Sequence, residues 1–218
     1  MIPIAGGTAQ RVLQPIWKSV LPAEGIEPLV FPFGGECSRE EVARLVRQAE
    51  GSAAVAVVGA GGGKASDTAR AIADELDLPA ILTPTLASTD SPCSALSVLY
   101  GAGGNVEGFR FYNRHPLLVL VDTTVLARAP KRYLVGGLGD ALATWFEART
   151  VRESGDRTMV GGLPSTTSTA LAKLCCDLLL ADRATLPGES SHNEPFPVTA
   201  EAVISALKAA DQLGRQRR

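Results

Sequence analysis

Residues 53–60, AAVAVVGA, are apolar at every position, and a stretch apolar on both faces is what a buried parallel strand requires. Two further runs, PAILTPT at 79–85 and PLLVLVDTT at 116–124, predict two more buried strands. PLVFPF at 28–33, bounded by prolines and glycines, predicts a short strand before them. Helical spacing fills the intervals. Ser38 is placed to cap a helix whose first turn carries Glu40 and Glu41 and whose inner face carries Val42, Leu45 and Val46. A second helix, beginning near Lys64, puts Ala69, Ile72, Ala73 and Leu76 on one side. Strands alternating with helices in this order imply a parallel sheet with right-handed helical crossovers, a Rossmann-like α/β domain.

After Asp122 the pattern changes. Leu142, Trp145 and Phe146 mark a helix over about 139–153, and Leu171, Leu174, Cys175 and Leu178 mark another. A segment rich in Pro, Gly and Ser follows at 182–197, and Thr199 caps a last helix with Val203, Leu207 and Ala210 inward. The chain therefore divides into an α/β domain, residues 1–125, and a truncated all-helical domain, 126–218. Three helices bury little alone, so the second part must lean on the sheet or on another chain.

Composition narrows the class. The 218 residues are 45% hydrophobic and 20% charged, a globular balance, with a formal net charge of −2. No basic stripe exists to meet a phosphate backbone, which argues against nucleic acid; Arg215, Arg217 and Arg218 form a short solvated tail. The N-terminal MIPIAGG lacks the charged flank and apolar core of a signal peptide, and the longest apolar run is too short for a bilayer. Cys37, Cys93, Cys175 and Cys176 form no C-x-x-C pair, which fits reduced thiols in the cytoplasm. Cys93 has no histidine or other base nearby in sequence to make it a nucleophile.

The strongest chemical signal is VAVVGAGGGKASDTARAIA. Gly61, Gly62 and Gly63 turn a buried strand into a helix, whose free N–H groups and partial positive charge suit a pyrophosphate. The string is neither G-x-G-x-x-G nor a P-loop, and Lys64 and Asp67 also fit as a surface residue and a first-turn acid. A second signal, Thr83 to Tyr100, packs hydroxyls and Asp90 at the carboxyl end of a strand, where open parallel sheets bind ligands, although a Ser/Thr-rich turn reads similarly. The third, GGLGDALATWFEAR, places Asp140 behind Gly139 at a helix start, as a ligand or an N-cap.

PFGGECS, GGGK-x-x-D, T-x-A-STD-x-PCSALSV-x-Y, VDT and GDALATWFEAR stand in an order and spacing that resembles the iron-containing alcohol dehydrogenase superfamily, most closely its glycerol dehydrogenases. The similarity runs from residue 31 to about 180, and the C-terminal HNEPFPVTAEAVISALKAADQLG resembles the family's end. The resemblance implies NAD-dependent oxidation of glycerol to dihydroxyacetone by metal-assisted hydride transfer. It implies that Gly62, Gly63, Lys64 and Asp67 hold the pyrophosphate and nicotinamide ribose. Thr85, Ser88, Ser94, Leu96, Val98 and Tyr100 would line the cofactor cleft, and Asp90 would touch the polyol. Asp140 would be a metal ligand, for zinc or alternatively iron, and the intact form would be a homo-oligomer.

The resemblance also implies two metal-binding histidines in the helical domain. The chain has two histidines, His115 before a strand and His192 in HNEPFPVT, and neither matches. The ligand-bearing region is missing between about 180 and 188, and the early strand appears as MIPIAGG without the acid that would meet the adenosine ribose. The metal site is thus expected to be incomplete and turnover impaired. Two other functions compete: an NAD-linked dehydrogenase of another small alcohol or diol, and a non-catalytic nucleotide-binding remnant.

Overall fold

The computed structural model describes residues 1–101 and 103–180. They form two compact units, Met1–Gly137 and a second beginning at Leu138.

In the first unit, β1 (Ile2–Ala5) leads into α1 (Gly7–Val20), and α2 (Arg39–Ala49) precedes β2 (Val57–Gly61). α3 (Gly63–Glu75) connects β2 to β3 (Ala80–Pro84). A hairpin, β4 (Leu96–Tyr100) and β5 (Val106–Phe111), comes before β6 (Leu118–Val119) and the short α4 (Thr123–Ala127). Strands β1, β2, β3 and β6 lie in that order in one sheet, and all three pairings are parallel. β4 and β5 pair antiparallel in a sheet of their own, with an irregularity at Leu99/Tyr100.

The expected parallel α/β sheet is therefore present, and its physical basis is the uninterrupted burial of β1 and β2. Ile2, Ile4, Leu45, Val57, Ile72 and Leu82 are fully buried and form one cluster between sheet and helices. Each such side chain stabilises the fold by about 1.5–3 kcal/mol relative to exposure. α2 begins as its sequence predicts: the Ser38 hydroxyl accepts from the Glu41 amide at 3.1 Å, and Val42 and Leu45 face the core.

Several expectations are corrected. Residues 28–33 do not form a strand; Leu29 donates to the Met1 carbonyl at 2.8 Å, but Pro28 and Pro32 bring no N–H to a ladder. Leu29, Phe31 and Phe33 still pack against the core. The run 116–124 is not a fully buried strand: β6 is two residues long at the end of the sheet order, and Leu117, Leu118 and Leu120 are exposed. α1 and the β4/β5 hairpin carried no expectation. α1 opens on glycines without a side-chain cap and contains Pro15, so it lacks ordinary helix signals.

α5 (Lys131–Ser154) starts earlier than the predicted helix and passes from the first unit into the second. Asp140 accordingly sits inside a helix and is not an N-cap. α6 (Thr166–Leu178) is capped by Ser165, whose hydroxyl accepts from the Ser168 amide at 3.0 Å. Its buried positions are Thr169, Ala172 and Cys176, while of the residues that mark the helix in the sequence Leu171, Leu174 and Leu178 are exposed and Cys175 is half-buried. The apolar stripe marked the helix correctly but not the face it buries. The predicted segment 182–197 and last helix lie outside the described residues. No described helix is long and apolar enough to cross a membrane.

Candidate functional site

The site is built at the carboxyl end of β2. Gly61 has φ +153°, and a Cβ there would stand 3.0 Å from the Ala65 Cβ. Gly62 is the N-cap of α3, and its carbonyl accepts from the Ala65 and Ser66 amides, both at 3.1 Å. That leaves the amides of Gly63 and Lys64 at the open end of the helix, where orphan donors and the macrodipole favour an anion.

The loop after β3 closes over this turn. The Thr85 amide donates to the Gly61 carbonyl at 3.0 Å. A Cβ on Gly62 would lie 3.2 Å from Leu86 Cδ1, and one on Gly63 would lie 3.4 Å from Thr89 Cγ2. On the far side of the loop, a Cβ on Gly137 would lie 2.3 Å from the Ala87 carbonyl oxygen. The turn glycines thus make room for the Leu86 and Thr89 side chains, while Gly136 and Gly137 approach the backbone at Ala87 and Ser88.

Lys64 is exposed, yet its Nζ lies 2.6 Å from Glu36 Oε2 and 5.0 Å from the centre of the Tyr100 ring. The other Glu36 oxygen is buried without a partner. The Lys64 ammonium is therefore held by Glu36 and the Tyr100 ring. Burial, followed by the nearby Asp67 carboxylate, pushes the Tyr100 phenol up.

Asp67 faces inward. Its Oδ1 accepts from Arg70 Nη1 at 2.8 Å and from Ser91 Oγ at 2.7 Å, and its Oδ2 accepts from the Val98 amide at 3.1 Å. Arg70 also donates to the carbonyl oxygens of Ser91 and Leu96. Ser94 Oγ donates to the Ser91 carbonyl at 3.0 Å. Arg70, Ser91, Ser97 and Glu36 were not singled out from the sequence. An Asp/Arg pair at i,i+3 on one helix was the available signal for Arg70, but only the fold shows that the pair is buried.

The anticipated residues group as follows. Gly62, Gly63, Lys64 and Asp67 occupy the first turns of α3. Thr85, Ser88 and Asp90 lie on the loop after β3, with Asp90 exposed just before a short 3-10 turn, Ser91–Cys93. Ser94 adjoins β4, which carries Leu96, Val98 and Tyr100. All of these belong to the first unit; Asp140 belongs to the second. His115 is exposed, with Nδ1 3.1 Å from the Cys93 carbonyl oxygen, and His192 lies outside the described residues.

A pyrophosphate fits: a helix N-terminus, glycines without side chains and one lysine meet at the turn. A catalytic metal does not fit the described residues, which contain no group of three or more His, Cys, Asp or Glu side chains able to hold one.

Comparison with known proteins supplies independent context. Residues 3–123 match the family model described as iron-containing alcohol dehydrogenase. A glycerol dehydrogenase of Thermotoga maritima is 46% identical over 182 residues, 84% of this chain and 50% of that protein. One from Escherichia coli is 44% identical over 202 residues, 92% of this chain and 53% of that protein. The crystal structure of glycerol dehydrogenase from Schizosaccharomyces pombe superimposes with a TM-score of 0.74 at 35% identity, covering 82% of this chain and 45% of the other. The chain spans about half the length of the curated relatives it matches.

Proposed function

The chain belongs to the iron-containing alcohol dehydrogenase family, and from that premise we propose that it carries the dinucleotide-binding part of an NAD-dependent oxidoreductase acting on a small polyol, with glycerol the favoured substrate. The observation that carries the reading is the glycine turn at the start of α3, closed over by Leu86 and Thr89 and followed directly by Lys64.

In this reading the Gly63 and Lys64 amides bind the pyrophosphate, and Lys64 exchanges its contact with Glu36 for a phosphate oxygen. Asp67, whose carboxylate is taken up by Arg70, Ser91 and the Val98 amide, acts at the nicotinamide ribose end through the wall it holds. Thr85, Ser88, Ser94, Leu96, Val98 and Tyr100 line the cleft and exclude water from it. Asp90, exposed at the rim, meets the polyol hydroxyls. NAD, when bound, supplies the hydride acceptor. Asp140 is the residue that would meet the family's zinc or iron, but the described residues do not assemble a set of three or more ligands. A homo-oligomer in the cytoplasm is the corresponding setting.

Calorimetric titration of the purified chain with NAD tests the assignment. Binding is expected, and Gly63→Val is expected to weaken it by about tenfold or more, because a branched Cβ fills the space a phosphate needs. Equal affinity in the two proteins would remove the turn from the cofactor site.

A further inference from the structure

We propose that Arg70 is a positioning residue that holds the cleft wall, residues 91–98, at a set distance from the glycine turn; the inference rests on the dinucleotide reading of that cleft. Arg70 is 3% exposed, and so it acts through other groups. Its guanidinium binds one carboxylate, Asp67 on its own helix, and two carbonyl oxygens, Ser91 and Leu96, on the wall. Asp67 completes the clasp by accepting from Ser91 Oγ and the Val98 amide. Ser97 Oγ donates to the Asp67 backbone carbonyl at 2.8 Å and accepts from the Tyr112 hydroxyl at 2.9 Å. The helix whose N-terminus forms the turn and the strand that forms the wall are thereby joined through one ion pair.

Stability alone is a weak reason for such a pair. Burying both charges costs desolvation, which apolar residues of similar volume avoid. Arg70 Nε, moreover, is buried without a partner, an added cost. What the pair does supply is direction. A planar guanidinium presents its donors in a rigid fork, so the Ser91 and Leu96 carbonyls are held in one arrangement relative to Asp67. Ser94, Leu96 and Val98, three residues assigned to the cleft, are bonded to this clasp or belong to it. A wall so fixed bears on the nicotinamide half of the cofactor, whereas the pyrophosphate depends on the turn.

NAD and ADP distinguish the two halves, since ADP lacks the nicotinamide riboside. In calorimetry with the full chain, Arg70→Met is expected to weaken NAD about tenfold while ADP stays within about twofold. Arg70→Lys should recover part of the loss, since one ammonium replaces some donors but not the fork. Ser91→Ala, which removes a single bond, should show the same pattern more mildly and covers the case in which Arg70→Met does not fold. Parallel loss of NAD and ADP, or no change in either, overturns the proposal. If the unaltered chain binds neither nucleotide, the dinucleotide reading fails by itself. Hydrogen exchange then decides the clasp: faster exchange at the Val98 amide in Arg70→Lys or Ser91→Ala, with the Val58 amide unchanged, supports it, and unchanged Val98 exchange overturns it.

Discussion

Two glycines of one strand-to-helix connection meet different surroundings. A Cβ on Gly59 would lie 2.8 Å from both Ala69 Cβ and Leu82 Cδ2, neighbours buried in the core. A Cβ on Gly63 would make ordinary contact with Thr89 Cγ2 at 3.4 Å. Gly59→Ala is therefore expected to lower unfolding stability by about 1–3 kcal/mol, the usual cost of overpacking, while the folded fraction keeps its NAD affinity. Urea unfolding paired with calorimetry checks this; an unchanged urea midpoint contradicts the packing argument. The sequence shows that glycines crowd this turn but not which one serves packing. It likewise places Asp67 near the turn without revealing that its carboxylate is taken up by Arg70, Ser91 and Val98. Ser91 and Val98 lie 24 and 31 residues away, beyond the reach of local spacing.

At the scale of elements, continuous apolar runs are legible and their surroundings are not. β3 appears where the pattern puts it, but β2 takes up only the second half of the run 53–60, beginning at Val57 and leaving Val55 exposed; where strands are flanked by other strands and covered by helices, both faces are apolar. The same reading fails for β6, whose place in the sheet is a tertiary property. The link from the β4/β5 hairpin to α3 has a measurable consequence through Tyr112, just beyond β5. Burial, opposed in part by the Ser97 hydrogen bond, pushes the Tyr112 phenol from 10.0 to about 12. Burial does the same to the Cys37 thiol, from 9.0 to about 11. Both groups keep their protons longer when folded than when unfolded. Their stabilisation is thus complete below pH 9 and is lost as pH rises, through 11 for Cys37 and through 12 for Tyr112. Tyr112→Phe is expected to cost about 1 kcal/mol near neutrality, through the lost bond to Ser97, and to flatten the decline between pH 10 and 12. Urea midpoints across that range, with an equally steep fall in both proteins as the contrary result, test it.

For the whole molecule, the parallel α/β class was readable because strand and helix periods alternate through the first half of the chain. The extent of a unit is harder to read, since it depends on which residues share a core. The principal cluster, from Ile2 to Leu99, lies wholly within Met1–Gly137. A fragment comprising residues 1–137 is therefore expected to unfold in one cooperative transition and to bind NAD within about twofold of the full chain. Thermal unfolding and calorimetry of the fragment are the measurements; loss of cooperativity means that the second unit completes the core. Elsewhere, Met159, Val160 and Leu163 in the second unit are exposed, and the apolar pattern gave no means of foreseeing it.

The clasp around Arg70 also bears on the order in which the chain folds. Hairpin pairing of β4 with β5 closes a short loop, but the bonds from Asp67 and Arg70 to Ser91, Leu96 and Val98 bridge 21 to 31 residues. Loop closure of that length is paid in entropy before any bond forms. A wall tied by such contacts is expected to lock after β2 and α3, which adjoin in sequence, have packed together. Weakening the clasp is then expected to speed unfolding and leave refolding nearly unchanged.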